Sequence, residues 1–267
     1  MLLLPALNKT KTKLDFDVMQ VLGIDIGGSG MKGAIVDSET GEMLTERFRI
    51  PTPTSRKPQE MADVVKQIVD HFNHKGPVGV GFPTIIKHGV CKSPGNLHKS
   101  WMNVNVKELF SAATGLPVSV INDAGAAGQA TMNYGVGKGQ QGLVIMITIG
   151  TGLGSGAFFN GELIPNFELG QIPYKKYNKI ETWAAASARE REDLSLKKWA
   201  KRFNVFLGLV ELLVCPDLII LGGGTSKYFE DFKKYITIDT PVIPAELRNH
   251  AGIIGAAAAA LHEIVQD

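Results

Sequence analysis

The sequence predicts an α/β protein built from two similar half-domains that face each other across a cleft. Three observations carry that expectation. Residues 21–37 read V-L-G-I-D-I-G-G-S-G-M-K-G-A-I-V-D, an apolar strand that breaks into glycines and resumes as a second strand. The device recurs at residues 143–159, L-V-I-M-I-T-I-G-T-G-L-G-S-G-A-F-F, and sliding one onto the other matches Ile24 with Ile147, Ile26 with Ile149, Gly27 with Gly150, Gly33 with Gly156 and Ala34 with Ala157. A repeat half a chain apart implies two similar units. Finally, 267 residues that are 44% hydrophobic and 20% charged suffice for two cores in an ordinary soluble globular chain.

The first turn reads as a phosphate cradle. Gly27, Gly28 and Gly30 allow backbone N–H groups to approach an anion without Cβ atoms intervening, and Ser29 adds a hydroxyl. Asp25 is a carboxylate inside an apolar strand, where it needs a partner; a hydrated metal ion is a good one. The spacing matches neither G-x-x-x-x-G-K-[ST] nor G-x-G-x-x-G, and a strand, not a helix, follows. A glycine turn alone would read as a plain hairpin between core strands. Its duplication favours phosphate, held from both sides of the cleft, with Thr148 opposite Asp25 in the match.

The net charge of +2 is too mild to imply a nucleic-acid partner, so anion specificity must be local. Cys91 and Cys215 form no C-x-x-C pair, which excludes a cysteine zinc knuckle and suits a reducing cytoplasm. No apolar run approaches the ~20 residues of a membrane span. Residues 1–20 lack a basic start and an adequate apolar segment for a signal peptide and are expected to be a poorly ordered leader.

Along the chain, residues 42–50 read as a third strand and 51–58 as a loop. Residues 59–74 carry a helical apolar stripe, with Gly76 as its stop, and 78–82 return to strand. Residues 92–105, with Ser93, Pro94, Gly95, Asn96, Trp101 and Asn103, form a polar loop suited to binding. Residues 106–114 read as a short helix and 118–121 as a strand ending in I-N-D-A-G. Asn122 and Asp123 therefore stand at a strand's carboxyl end and a helix cap. That pair is most often only a cap; beside two phosphate cradles, Asp123 is also placed to take a hydroxyl proton during phosphoryl transfer. Residues 194–214 form a long amphipathic helix ended by Pro216, 218–221 a strand leading to Gly222, Gly223 and Gly224, and the alanine-rich segment after Gly252 a final helix.

These motifs in order, D-I-G-G-S-G-M-K, I-N-D-A, I-G-T-G-L-G-S-G, E-L-G-Q at residues 168–171 and L-I-I-L-G-G-G at 218–224, resemble the ROK sugar kinases of the actin-like ATPase superfamily. S-A-R-E-R-E-D-L-S at 187–195 is similar to a segment of its polyphosphate-dependent glucokinase branch. The resemblance implies an actin-like (ribonuclease H-like) fold with a leader at 1–20, an N-terminal lobe at 21–122 and a C-terminal lobe at 123–267, whose final helix is a candidate to pack back on the first lobe. It implies Asp123 as general base, Asn96, Asn122, Asp123, Glu168 and Gln171 around a hexose, and Glu168 at the anomeric end. Gly27, Gly28, Ser29, Gly30 and Lys32, with Gly150, Thr151 and Gly152, would hold phosphate, and Gly222 to Gly224 an adenosine. Asp25 would orient Mg²⁺ through water. Glucose and mannose are the expected acceptors, polyphosphate and ATP the donors, in a cytoplasmic monomer or homodimer with no nucleic-acid or membrane partner.

Gln171 stands where many ROK kinases carry histidine, and no cysteine cluster follows it, so zinc is not expected. Its amide can still bond hydroxyls. The roughly twenty residues before the first strand leave no room for the helix-turn-helix of ROK repressors. A polyanionic donor needs a cationic path, and Arg189, Arg191, Lys197, Lys198, Lys201 and Arg202 could supply one; on charge alone they read as a solvated helix face beside Glu190, Glu192 and Asp193. The alternatives are a strictly ATP-dependent sugar kinase and a non-sugar actin-fold ATPase switch. The sugar-reading E-L-G-Q stretch argues against a pure switch.

Overall fold

The computed structural model describes residues 20–246 and 250–266, of 262–266 the backbone alone; the expected leader at 1–20 lies almost wholly outside them. In chain order the first half holds Gln20–Ile26 (β1), Met31–Asp37 (β2), Phe48–Ile50 (β3), Pro58–His71 (α1), Val78–Phe82 (β4), the hairpin Ile86–Lys87 (β5) and Val90–Cys91 (β6), Val106–Thr114 (α2) and Val118–Asn122 (β7). The second half holds Asp123–Tyr134 (α3), Leu143–Ile149 (β8), Leu153–Phe159 (β9), Glu162–Ile164 (β10), Glu181–Ala184 (α4), Ala186–Arg191 (α5), Leu196–Val214 (α6), Leu218–Gly222 (β11), Phe229–Phe232 (α7), Val242–Pro244 (β12) and Ala251–Gln266 (α8).

Two five-stranded sheets share one plan, β3-β2-β1-β4-β7 and β10-β9-β8-β11-β12. In each, three antiparallel strands from a meander continue into two parallel ones. The repeat therefore holds in topology, but the register corrects the ungapped match. Ile26 pairs with Met31 across a four-residue turn, while Ile149 pairs with Leu153 across a three-residue one. Gly33, opposite Ile24, thus corresponds to Ser155, opposite Ile147, and Gly156 corresponds to Ala34. One residue deleted from the second turn shifts everything after it.

Local chemistry accounts for most boundaries. In α2, Asn105 caps the start by accepting from Glu108 N–H at 3.2 Å, and Gly115 takes the left-handed conformation (φ 70°) that ends it. In α6, Ser195 Oγ accepts from Lys198 N–H at 3.3 Å. α1 stops at His71, three residues short of expectation, because Asn73 at φ 47° already turns the chain, and Gly76 has no capping role. Of the strand expected at 42–50, Phe48–Ile50 forms β3 against β2, and Met43 adds a single antiparallel bridge to Val36.

The layers run α1 and α2, first sheet, α8, α3, second sheet, α6. Met61 and Ile68 of α1 pack with Leu22, Val80 and Phe82, and Trp199 and Phe203 of α6 pack with Ile145 and Ile219. α8 covers the inner face of the first sheet through Ile253, Ile254 and Ala257 against Val21, Ala34 and Val36. α3 covers the second through Met132 against Met146, Phe158 and Ile220. Glycine permits this closeness: a Cβ on Gly79 would overlap Ala256 O, and one on Gly255 would overlap Ala126 O. Trp101, expected in a binding loop, is instead fully buried between Phe82 and Phe110, with ring centroids 4.8 and 6.1 Å away. Its area is better used in the core, and its Nε1 has a partner there, Arg56 O at 2.8 Å. Among the described residues no helix is long and apolar enough to cross a membrane.

Candidate active site

β1, β4 and β7 end side by side, and β8 and β11 end facing them, so the strand termini frame one cleft of about 550 Å³. It is lined by Gly28, Asn96 and Asn122 from the first half and Asp123, Gly150, Thr151, Gly152, Glu168, Gln171, Gly223 and Gly224 from the second. Sequence spacing had set these residues nearly 200 positions apart. Asp25, Gly27, Ser29, Gly30, Lys32 and Gly222 are not among the residues that line it.

The first glycine turn is built so that its carbonyls are already used, and in the second two of the three are. In the first, Gly27 O accepts from Thr52 Oγ1 (2.6 Å), Gly28 O from Arg56 Nη2 (3.3 Å), Ser29 O from Arg49 Nη2 (2.7 Å) and Gly30 O from Gly27 N–H (3.0 Å). No group among the described residues takes the N–H donors of Gly28 and Ser29. In the second, Thr151 O accepts from Ser187 Oγ (2.6 Å) and Gly152 O from Gly150 N–H (3.1 Å). An anion meets donors at such a turn while the repelling carbonyls are turned to other partners.

Asp123 opens α3. Its side chain is exposed to the cleft, and the protein packed around the cleft floor desolvates it. Desolvation outweighs the Ala124 N–H bond at 2.7 Å, and with the nearby Asp25 charge it pushes the carboxyl up to about 6. Glu168 is pushed up to about 7, by desolvation first and then by the Asp123 and Glu181 charges. Asn122 is the cap of α3: its Oδ1 accepts from Ala124 and Gly125 N–H at 2.9 and 3.2 Å, and its Nδ2 donates to Thr84 O at 3.3 Å. The capping role and the cleft position thus coexist, leaving one amide hydrogen for a ligand. Gln171 donates through Nε2 to Glu181 Oε1 at 2.9 Å.

Because the two raised carboxyls interact, they titrate as a pair. If an ionised Asp123 takes the proton, turnover is expected to fall as pH drops through about 6 to 7. The same shifts favour the folded state with protons bound. Their stabilising contribution is complete below the ordinary carboxylate range and is lost as pH rises through 6 to 7. A pH–kcat profile from 5 to 8 checks this, and a flat acidic limb rules it out.

Asp25 lies 3.5 Å from Lys32 Nζ and is close enough to Asp123 to raise its proton affinity. Among the described residues no three His, Cys, Asp or Glu side chains converge as a metal cage. A divalent ion here would rest on donor oxygens and water, the manner suited to Mg²⁺, and the excess carboxylate charge at the floor fits it.

The expected cationic path divides. Arg189 donates to Leu194 O (3.2 Å), Arg191 to Thr182 O (2.6 Å) and Glu192 (3.1 Å), and Arg202 to Trp183 O (3.2 Å) and Glu192 (2.7 Å). These three arginines brace α4, α5 and α6. Lys197, Lys198 and Lys201 are exposed, and none of the six lines the cleft. Thr148, which falls opposite Asp25 in the repeat, lines it, and Arg56 and Glu181 line it without having been singled out, since no local motif marks them. Glu181 Oε2 accepts from Leu153 N–H at 3.2 Å, tying the second turn to Gln171.

Comparison with known proteins gives three concordant findings. A family model described as "ROK family" matches residues 21–166. The chain is 41% identical over 240 residues to a polyphosphate glucokinase of Mycobacterium tuberculosis (strain CDC 1551 / Oshkosh), covering 90% of each, and 37% identical to one of Mycobacterium leprae, covering 91% of this chain and 75% of that one. It superposes with a TM-score of 0.85 and 44% identity on the inorganic polyphosphate/ATP-glucomannokinase from Arthrobacter sp. strain KM, covering 93% of this chain and 99% of that one.

Proposed function

We infer from the family to which this chain belongs, the ROK family, that it is a sugar kinase of actin-like fold that phosphorylates glucose with polyphosphate or ATP. The acceptor alcohol is the 6-hydroxyl, and mannose, which differs from glucose only at C2, is a second acceptor. The observation that carries the site assignment is one cleft that unites two N–H-presenting glycine turns with an Asp123 of raised proton affinity.

In this reading the hexose lies deep, against Asn96, Asn122, Glu168 and Gln171, and the donor lies across the turns. Asp123 accepts the proton of the 6-hydroxyl as that oxygen attacks the terminal phosphorus in line, and the bond to the bridging oxygen breaks, releasing the shortened polyphosphate or ADP. N–H groups of Gly28, Ser29, Thr151 and Gly152 take up charge that develops on the phosphoryl oxygens. Gly223 and Gly224 give an adenosine a flat approach. Kinase relatives imply a divalent cation; Mg²⁺, when bound, would neutralise donor charge, with Asp25 holding it through water. Both cysteines are free thiols, in keeping with a reducing cytoplasm.

The test is glucose and mannose phosphorylation with polyphosphate and with ATP separately. Activity with neither donor refutes the reading, and activity with ATP alone reduces the protein to an ordinary hexokinase. The exposed lysines supply a further prediction. Changing Lys197, Lys198 and Lys201 together to Gln is expected to raise KM for long polyphosphate by about 3- to 10-fold and leave that for ATP nearly unchanged, with the difference shrinking at high salt. Equal changes for both donors would remove α6 from the path.

A further inference from the structure

Arg56 belongs to no motif, yet five hydrogen bonds hold it, three through its backbone and two through its guanidinium. Its backbone is left-handed (φ 51°), which an arginine adopts only when its surroundings impose it. Those surroundings are visible. Its carbonyl accepts from Nε1 of the buried Trp101 at 2.8 Å and from His98 N–H at 3.4 Å, and its N–H donates to Pro53 O at 3.0 Å. Its guanidinium leaves this anchor in two directions, Nη1 to Asn96 O at 2.8 Å and Nη2 to Gly28 O at 3.3 Å. Thr52 and Arg49 also grip the first phosphate turn, but neither is bonded to the loop that carries Asn96.

We propose that Arg56 is a positioning residue that couples hexose binding to donor binding, by tying the acceptor loop at Asn96 to the donor turn at Gly28. This rests on the reading of the cleft given above. A hexose that settles the Asn96 loop fixes the fork, and the fork fixes the orientation of the Gly28 peptide whose neighbouring N–H groups meet phosphate. The coupling is reciprocal, as any binding linkage must be. A planar guanidinium suits the task, because it presents two N–H donors in fixed geometry, where an ammonium is a single point charge. The expected functional result is that a donor is gripped productively only when an acceptor is present, so that transfer outruns hydrolysis.

The experiment is calorimetric titration of the β,γ-imido analogue of ATP, with Mg²⁺, into protein with and without saturating glucose. The unmodified protein should bind the analogue at least ~5-fold more tightly with glucose present, and glucose more tightly by the same factor with analogue present. In Arg56→Gln and in Arg56→Lys this factor should fall to within about twofold of unity while glucose alone still binds, and orthophosphate released per hexose phosphate formed should rise. Arg56→Lys keeps the charge and guards against misfolding of the glutamine variant. Arg49→Gln, which loosens the same turn without touching the Asn96 loop, should keep the coupling. Full coupling in Arg56→Lys, its loss in Arg49→Gln, or an unmodified protein that phosphorylates glucose yet shows no coupling would each overturn the proposal. Absence of glucose phosphorylation would instead strike the underlying functional reading.

Discussion

Replacing Asp123 with Asn is expected to lower kcat by ~10² to 10⁴ with either donor while glucose affinity stays within a few-fold. The amide keeps the shape of the carboxylate and can still accept from Ala124 N–H, but it has no basicity for the 6-hydroxyl proton. The remaining rate would come from the two turns and from alignment of acceptor and donor. The acidic limb of the pH profile should flatten in the same variant, because the group that titrates near 6 is gone. Initial rates with saturating glucose, beside calorimetric glucose affinity, separate the two effects. Turnover within a few-fold of the unmodified protein would take Asp123 out of the base role, whatever its position.

Replacing Gly255 with Ala should destabilise the protein by about 1–3 kcal/mol or more, as overpacking of a close contact does. The sign is informative. In an exposed helix interior the same change stabilises, by up to about 1 kcal/mol. Here the new methyl would fall on Ala126 O, where α8 crosses α3 with backbones in contact. Since α8 covers the first sheet and α3 the second, the helices would have to separate and both inner layers would loosen. Thermal unfolding checks this, with an expected fall in Tm of at least several degrees. An unchanged or raised Tm would mean that the crossing can relax.

Much of this molecule is legible in one dimension because its elements announce themselves locally. Strand β4 and helix α2 come out at their expected limits, since alternation, an Asn cap and a left-handed Gly act within a few residues. The two glycine turns are legible for the same reason, since glycines adjacent in sequence are adjacent in space. Asp123 could be singled out because its neighbours in the chain, a strand end and a helix start, are also its site.

The order of residues alone specifies each half-site: two strand-turn-strand units, a cap bearing a carboxylate, an E-L-G-Q stretch and the family pattern that joins them. How they come together is set by contacts between segments distant in the chain. The one-residue slip between the cradles appears in strand register alone, because pairing is set by hydrogen bonds across the hairpin and not by letter matching. The burial of Trp101, the bracing use of Arg189, Arg191 and Arg202, and the cleft positions of Arg56 and Glu181 depend on partners up to 45 residues distant. The raised proton affinities of Asp123 and Glu168 arise from desolvation and from charges that only folding brings together. Burial and Coulomb energy depend on distance in space, and a chain specifies that distance only once it has folded.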